Sequence, residues 1–409
     1  MAEKYDIVVV GAGPSGILAA KTAAEKGLKV LLLERGRQPG DKSVGGEFLP
    51  ISIFQRFPWM KEGPVERAMT KWGFHFLHED KLTELKFSRR NGEYGFTVHR
   101  PSWDRWTSGF AEAAGATLKT STLVENLLFD KQNHVVGVAA EGGEKFYSSV
   151  VIGADGSNST VALKASLRSR WPLNALALCV KHTYLLSEEE ITRRFCDEND
   201  GGELKIFLSE KISPKGYGWI FPSKEDFCVG VGSALDVLEE SIENRLSNFL
   251  DFPLVRKLTQ GATVFQHSVH TVPVYGPQGK TYAHGVLLVG DAAGFVCPMD
   301  GAGYEAAVFS GKLAAEVAAE ALGEGDCSAE ALEKYEKKWK KSWMGGDIDT
   351  GARLQDLILN GIGIGRLSRL LYELGAALSK HGSYLDKSHK ESLAEFLSQI
   401  EDLRGLFSQ

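Results

Sequence analysis

An α/β fold class is predicted for this 409-residue chain by three observations. Near the N-terminus an apolar run, Ile7 to Val10, meets a glycine turn, a small-residue helical pattern and a second apolar run, Val30 to Leu33. Far downstream, Val286 to Val289 repeats such a run and again ends on glycine and an acid, Gly290-Asp291. Between them, residues 173 to 275 carry short alternating stretches of the kind that form sheets. The length exceeds one ordinary core and predicts two or so domains.

The first segment sets the rest. Ile7 to Val10 feeds into Gly11-x-Gly13-Pro14-Ser15-Gly16, and Ala19, Ala20, Ala23 and Ala24 follow at helical spacing. Strand, glycine turn, helix, strand and acid in that order form the dinucleotide-binding fingerprint of a Rossmann-type unit. Gly11 allows the tight turn, Gly13 lets backbone approach a pyrophosphate, and Gly16 lets helix pack on strand. The helix N-terminus offers free N–H groups to phosphates. Glu34 stands where a carboxylate accepts hydrogen bonds from a ribose, and Arg35 follows it.

After Glu34, Gly and Pro mark a loop through Pro50. Residues 51 to 98 mix aromatics with charges and predict strands at Trp72 to Leu77 and Glu84 to Phe87. A helix is expected over Ser102 to Ala114, with Ser102 as its N-cap beside Pro101. Leu118 to Phe129, Val135 to Glu141 and Lys145 to Ser148 read as a meander, followed by a buried strand ending in Gly153-Ala154-Asp155-Gly156. A helix is expected over Leu235 to Leu250 and another over Gly303 to Leu322. Leucine spacing makes the last 80 or so residues mostly helical. The predicted organisation is a discontinuous nucleotide domain (1–80, 98–165 and 275–325), a β-rich substrate domain (166–274 with part of 50–97) and a helical C-terminal region (326–409).

Composition narrows the function classes. A net charge of −6 and a pI near 6.0 give no reason to expect nucleic acid. KKWKK, Lys337 to Lys341, reads as one solvated helix face. No apolar run approaches the ~20 residues of a membrane helix, and a strand begun by Asp6 leaves no room for a signal peptide. The five cysteines are scattered without a CxxC pair, which predicts a reducing compartment and no iron–sulfur cluster. A cytoplasmic protein is expected. No metal centre is expected either: His75 and His78 sit three apart but lack further ligands. Gly361-Ile-Gly363-Ile-Gly365 lacks a preceding strand, so it is not a second nucleotide site.

The fingerprint alone fits NAD or FAD. With Val289-Gly290-Asp291-Ala292-Ala293-Gly294, the chain resembles flavoproteins of the glutathione-reductase-type, hydroxylase-like class. That resemblance implies FAD, with Asp291 on the flavin-side ribose. It also implies that Ala154-Asp155-Gly156 lies near the FAD, that Arg100 holds it, and that Gly301-Ala302-Gly303 continues the flavin-contacting helix start. Asp155 and Gly156 read equally well as a turn after a strand.

Tyr217-Gly-Trp219-Ile-Phe221-Pro222, seven residues, then Gly230-Val-Gly232 is similar to the signature of the geranylgeranyl reductase family. There it implies an isoprenoid cavity beside the flavin. Tyr217, Trp219 and Phe221 alternate onto one strand face and make an apolar wall, and Gly230 and Gly232 would leave space opposite it. Prenyl reductases typically carry a Cys before the paired glycines, where this chain has Lys42-Ser43-Val44-Gly45-Gly46. That loop looks closer to FixC-like dehydrogenases, which partner an electron-transfer flavoprotein. Cys297-Pro298 stands where relatives usually have Asn-Pro. Cys297 reads either as a redox or proton-donating thiol or as a small buried hydrophobe.

The resemblance therefore implies an FAD-dependent oxidoreductase. The leading expectation is reduction of isoprenoid C=C bonds in an apolar or lipid substrate. The alternatives are FixC-like electron transfer and oxygen-using hydroxylation. A redox partner is expected: ferredoxin, an electron-transfer flavoprotein or a reduced nicotinamide donor. The amphipathic run Leu354 to Leu374 is expected to pack on the body, ahead of docking at the inner face of a membrane.

Overall fold

The computed structural model describes residues 4–41, 45–78, 81–88, 92–196, 201–369 and 371. Lys42, Ser43 and Val44, the side chain of His78, and Leu370 and Leu374 of the tail lie outside the described residues.

The chain opens with β1 (Lys4–Val10), α1 (Pro14–Glu25) and β2 (Val30–Leu33). Ile7 to Val10 and all of β2 are buried, as in a parallel sheet covered on both faces. α1 starts on Pro14, which has no N–H to waste in the first turn. Next come β3 (Phe48–Pro50), α2 (Ile51–Arg56), β4 (Val65–His78), β5 (Lys81–Ser88) and β6 (Gly95–Val98). β4 and β5 extend well beyond the expected stretches, because β5 pairs with β4 from Lys71 to His78 and the first part of β4, Val65 to Met69, pairs with β6. α3 (Arg100–Ala113) begins two residues before the expected start. His99 holds the N-cap position, Pro101 fits the first turn, and the Ser102 hydroxyl donates to the His99 carbonyl rather than capping.

The expected strand Leu118 to Phe129 is two strands, β7 (Thr117–Lys119) and β8 (Val124–Phe129). Between them Gly36 and Glu34 carbonyls capture the N–H groups of Ser121 and Thr122, and Ser121 turns with φ 50°. β9 (Val135–Ala140) follows, then β10 (Lys145–Gly153), which fuses the expected Lys145 to Ser148 strand with the buried run after it. The fusion is possible because β10 pairs antiparallel with β9 on one edge and parallel with β1 on the other. α4 (Thr160–Lys164), β11 (Leu176–Leu185), α5 (Glu188–Phe195), β12 (Gly202–Leu208), β13 (Gly216–Pro222) and β14 (Asp226–Ala234) come next.

The helix expected over Leu235 to Leu250 is shorter. A 3-10 turn, Leu235–Val237, precedes α6 (Ile242–Leu250), whose start is set by the Ser241 hydroxyl accepting from Asn244 N. The chain then runs through α7 (Pro253–Thr259), β15 (Thr263–Pro273), β16 (Tyr282–Ala283), β17 (Val286–Leu288), α8 (Tyr304–Glu324), α9 (Ala329–Lys340) and α10 (Trp343–Gln355).

Two sheets result. The first has order β16-β17-β10-β1-β2-β7, with β9 and β8 continuing from β10; its centre is parallel. α1 and α8 pack against each other so closely that a Cβ on Gly311 would lie 2.0 Å from the Ser15 carbonyl oxygen. The second has order β15-β11-β14-β13-β12-β4-β6-β3, with β5 on β4. One face buries Val180, Phe207, Phe227 and Val231 against Ile191 of α5 and Leu246 and Phe249 of α6. The other carries Trp219, Ile206, Cys179 and Cys228 toward the first sheet.

The described part of the tail packs on the body. The Tyr335 hydroxyl donates to Leu288 O, Trp339 Nε1 donates to Thr281 Oγ1, and Gln355 Nε2 donates to Val274 O and Pro298 O. Lys337, Lys338 and Lys340 are exposed and paired with Glu333, Glu320 and Glu336, so the basic run is one solvated face around a buried Trp339. Among the described residues no helix is long and apolar enough to cross a membrane.

Candidate functional site

A cavity of about 1750 Å³ lies between the two sheets. Ordinary ligand pockets measure roughly 300–1,000 Å³, so this one has room for a dinucleotide and a second molecule. Gly11, Gly13, Pro14, Ser15, Glu34, Arg35, Gly45, Gly46, Arg100, Ala154, Asp155, Gly156, Asp291, Pro298 and Gly301 to Gly303 all line it. So do Tyr217, Trp219, Phe221 and Cys297. Gly16 and Gly290 lie behind this surface.

The glycine turn is shaped by close approach. Gly11 has φ 101°, and a Cβ there would lie 2.5 Å from Ala154 O; one on Gly16 would lie 1.8 Å from Gly11 O. Nothing stands within 4 Å of the Cβ position of Gly13, so its backbone is open to an approaching group. Glu34 is buried and grips the turn itself: its Oε2 accepts from Ala12 N at 2.9 Å and its Oε1 from Gly36 N at 2.7 Å. Each oxygen keeps a second lone pair. Arg35 is exposed at the rim.

Gly290 has φ 55° and gives its N–H to Ser310 Oγ, which aims the next residue outward. Burial raises the Asp291 carboxyl to about 6, with Arg100 acting in the opposite direction. Among the described residues no donor reaches that carboxylate. Arg100 is half-hidden under Tyr304, its guanidinium 5.0 Å from the ring, and it forks onto fully buried Asp104 through Nε and Nη2. Nη1 has no acceptor among the described residues and faces Gly45. Asp155 has a local job: it accepts from Ser159 Oγ and Val161 N and so helps cap α4.

The loop from Cys297 to Gly303 closes on itself. Ala302 O accepts from Cys297 N, Cys297 O accepts from Gly301 N, and Asp300 Oδ1 accepts from Ala302 N. Tyr217 on the second sheet reaches this loop, its hydroxyl donating to Asp300 O. Burial, then Asp300, pushes the Cys297 thiol up to about 12, so it keeps its proton at neutral pH.

Register explains the wall. Trp219 pairs with Ile206 on one side and Gly230 on the other; Gly230 pairs with Lys181, and Lys181 with Ser268. Directly opposite residues share a face, so this row looks into the cavity, as does the row Tyr217, Gly232, Cys179 and His270. Trp72 stacks with Phe74 at 5.9 Å and meets Phe48 and Phe221 edge-on. The expectation for Gly230 needs correcting. Its missing Cβ leaves no empty space: the Trp219 indole fills it, with Cζ2 2.2 Å from the Cβ position. Gly46 similarly receives Phe221, whose Cε2 is 2.8 Å from its Cβ position.

Four polar residues on or beneath the wall escaped sequence reasoning. Lys181 is 1% exposed and lies 3.1 Å from Glu47, itself held at φ 64° after Gly46. Ser268 Oγ and His270 Nδ1 are buried and have no hydrogen-bond partner among the described residues. Burial, then Lys181 and Arg100, lowers His270 to about 4. Only the strand register reveals that these share a surface with the aromatics.

A family model described as FAD binding domain matches residues 4–342. Digeranylgeranylglycerophospholipid reductase 2 of Methanococcoides burtonii is 31% identical over 371 residues, 88% of this chain and 86% of that protein. Protein FixC of Bradyrhizobium diazoefficiens is 32% identical over 368 residues, 85% of this chain and 83% of that protein. A solved geranylgeranyl bacteriochlorophyll reductase-like protein from Thermoplasma acidophilum matches with a TM-score of 0.81 at 24% identity. It covers 99% of this chain and 100% of its own, a likeness of fold.

Proposed function

Because the chain belongs to the FAD-binding domain family, among the geranylgeranyl reductases and FixC-like flavoproteins, we propose that this FAD-dependent oxidoreductase reduces C=C bonds of an isoprenoid or similarly apolar substrate. The observation that carries this reading is one cavity lined both by the glycine turn and Asp291 and by Trp72, Phe74, Tyr217, Trp219 and Phe221. On this reading residues 1–80, 98–165 and 275–325 bind FAD, and 166–274 with part of 50–97 bind substrate.

The residues present fit FAD. The partnerless Asp291 carboxylate suits ribityl hydroxyls, the open Gly13 backbone suits the pyrophosphate, and Nη1 of Arg100 is free to donate. When bound and reduced, FAD supplies the hydride. The aromatic wall orients an apolar chain and keeps water out. Tyr217 holds the wall against the Cys297 to Gly303 loop, and Cys297 carries a proton at Sγ within the cavity.

A second reading, electron exchange with an electron-transfer flavoprotein or quinone, is favoured by the FixC relative, as similar to this chain as the reductases are. The test is anaerobic reduction of the bound flavin, then rapid mixing with a geranylgeranyl lipid, a quinone or oxygen. Fast reoxidation by the lipid, with a saturated product, supports the proposal. Reduced flavin untouched by the lipid but reoxidised by quinone transfers the assignment to the second reading.

A further inference from the structure

Two groups of side chains with metal-ligand chemistry occur among the described residues. The first joins His75 of β4, Glu84 of β5 and Glu203 of β12. Its carboxylates already have cations: Lys205 Nζ lies 2.8 Å from Glu203, and Lys86 Nζ lies 3.2 Å from Glu84 and 3.5 Å from Glu203. A divalent ion there would face two ammonium groups. That cluster is an ion-pair network.

The second differs where it matters. His182 of β11 and His267 of β15 stand directly opposite in the antiparallel pair, their rings 5.2 Å apart. Glu243, in the first turn of α6, places Oε1 3.1 Å from His267 Nε2. One ligand atom from each of the three lies within 4.8 Å of the others. Among the described residues Glu243 has no lysine or arginine partner and pairs with His267 instead. The Tyr184 hydroxyl lies 3.4 Å from His182 Nδ1, as an outer partner that fixes a ligating imidazole does.

The donor set selects the ion. Two imidazoles and a carboxylate suit a borderline ion such as zinc, leaving a fourth tetrahedral position for water, whereas calcium and magnesium prefer all-oxygen sites. At Zn–N distances of ~2.0–2.1 Å, ligand atoms sit about 3.4 Å apart. Any adjustment to that spacing falls on side chains free to make it: His267 is 42% and Glu243 48% exposed.

We propose that His182, His267 and Glu243 form a surface site for a zinc-class divalent ion. The ion fastens the start of α6 to β15, the edge strand of the second sheet. His182 and His267 follow Lys181 and Ser268 by one register step, so their side chains take the other face of the sheet, with His267 bordering the cavity only at its edge strand.

The test is cobalt titration of the chelator-treated, flavin-loaded full chain, followed by zinc displacement. The proposal expects one equivalent bound, a visible tetrahedral cobalt spectrum, and a zinc-dependent rise in melting temperature. Loss of an outer partner of a metal site already costs 10–100-fold in affinity, so His182→Ala or His267→Ala should weaken binding by at least about 100-fold, and Glu243→Gln by less. The double variant His182→Ala/His267→Ala should keep its flavin content and lose both the spectrum and the thermal shift. Equal binding by the double variant and the unaltered chain overturns the proposal, because a cysteine or another group would then hold the ion. No binding by the unaltered chain overturns it as well.

Discussion

The ammonium of Lys181 lies 3.1 Å from the carboxylate of Glu47, with neither side chain more than 8% exposed. The pair ties β11, the neighbour of the edge strand β15, to the loop that carries Gly45 and Gly46 beside Arg100. Its burial makes it asymmetric in effect: both charges are tolerated together, and neither alone.

Lys181→Met should therefore destabilise the chain by about 3–5 kcal/mol, by leaving Glu47 buried and unpaired. Adding Glu47→Gln should recover much of that loss. Urea unfolding of the single and double variants measures it; equal stability of Lys181→Met and the unaltered chain would refute the coupling.

Gly230→Ala should displace the Trp219 indole, since the new Cβ would lie 2.2 Å from Cζ2. Misplacing a group at the reacting centre by an ångström can cost about 100-fold in rate. Turnover of an apolar substrate should fall by roughly tenfold or more while FAD content stays unchanged. Steady-state kinetics with tryptophan emission as a reporter of the indole's surroundings check both halves.

Asp291→Ala should abolish stoichiometric FAD binding. In the unaltered chain, burial puts this carboxyl at about 6 before any hydroxyl donates to it. Donation by FAD favours the charged form. Affinity should then be full above about pH 6 and decline as pH falls through it. Fluorescence titrations of FAD into the flavin-free chain between pH 5 and 8 read this directly, and Asp291→Asn should flatten the dependence.

His75 is 1% exposed, and burial, then Lys205, lowers it to about 4 against an ordinary value of 6.5. Between those values the unfolded chain binds a proton that the folded chain refuses. The stabilising effect is complete above pH 6.5 and is lost as pH falls toward 4, on the order of 3 kcal/mol in all. His75→Phe keeps the stack on Phe207, 4.4 Å between centroids, and removes the titration. Its melting temperature should fall less than that of the unaltered chain between pH 7 and 5.

Legibility followed sequence distance. The Gly11 to Glu34 segment and Gly290-Asp291 were readable because strand, turn, helix start and acid lie within a few turns of chain. The aromatic strand Tyr217 to Pro222 was readable because its alternation is local. What Gly230 does was not, since its neighbour across the sheet decides whether the space is empty or filled. The pairing of β12 with β4, parallel and far apart in sequence, gave no local signal at all. Lys181, His270 and the His182–His267 pair were hidden for the same reason: each gains its meaning from a register between strands. The split between β7 and β8 turned on carbonyls of Glu34 and Gly36, which no pattern within residues 118–129 encodes.

Trp72 stacks on Phe74 and meets Phe221 edge-on, Tyr217 meets Trp219 edge-on, and all five rings line the one cavity. A hydrocarbon chain laid against them meets much the same surface at each step along its length. It can therefore slip lengthwise with little change in contact energy, as a rod does in a greased sleeve. On the proposed isoprenoid reading, a single site then presents successive segments of one long molecule to the same reacting atom, with no need to release and rebind it.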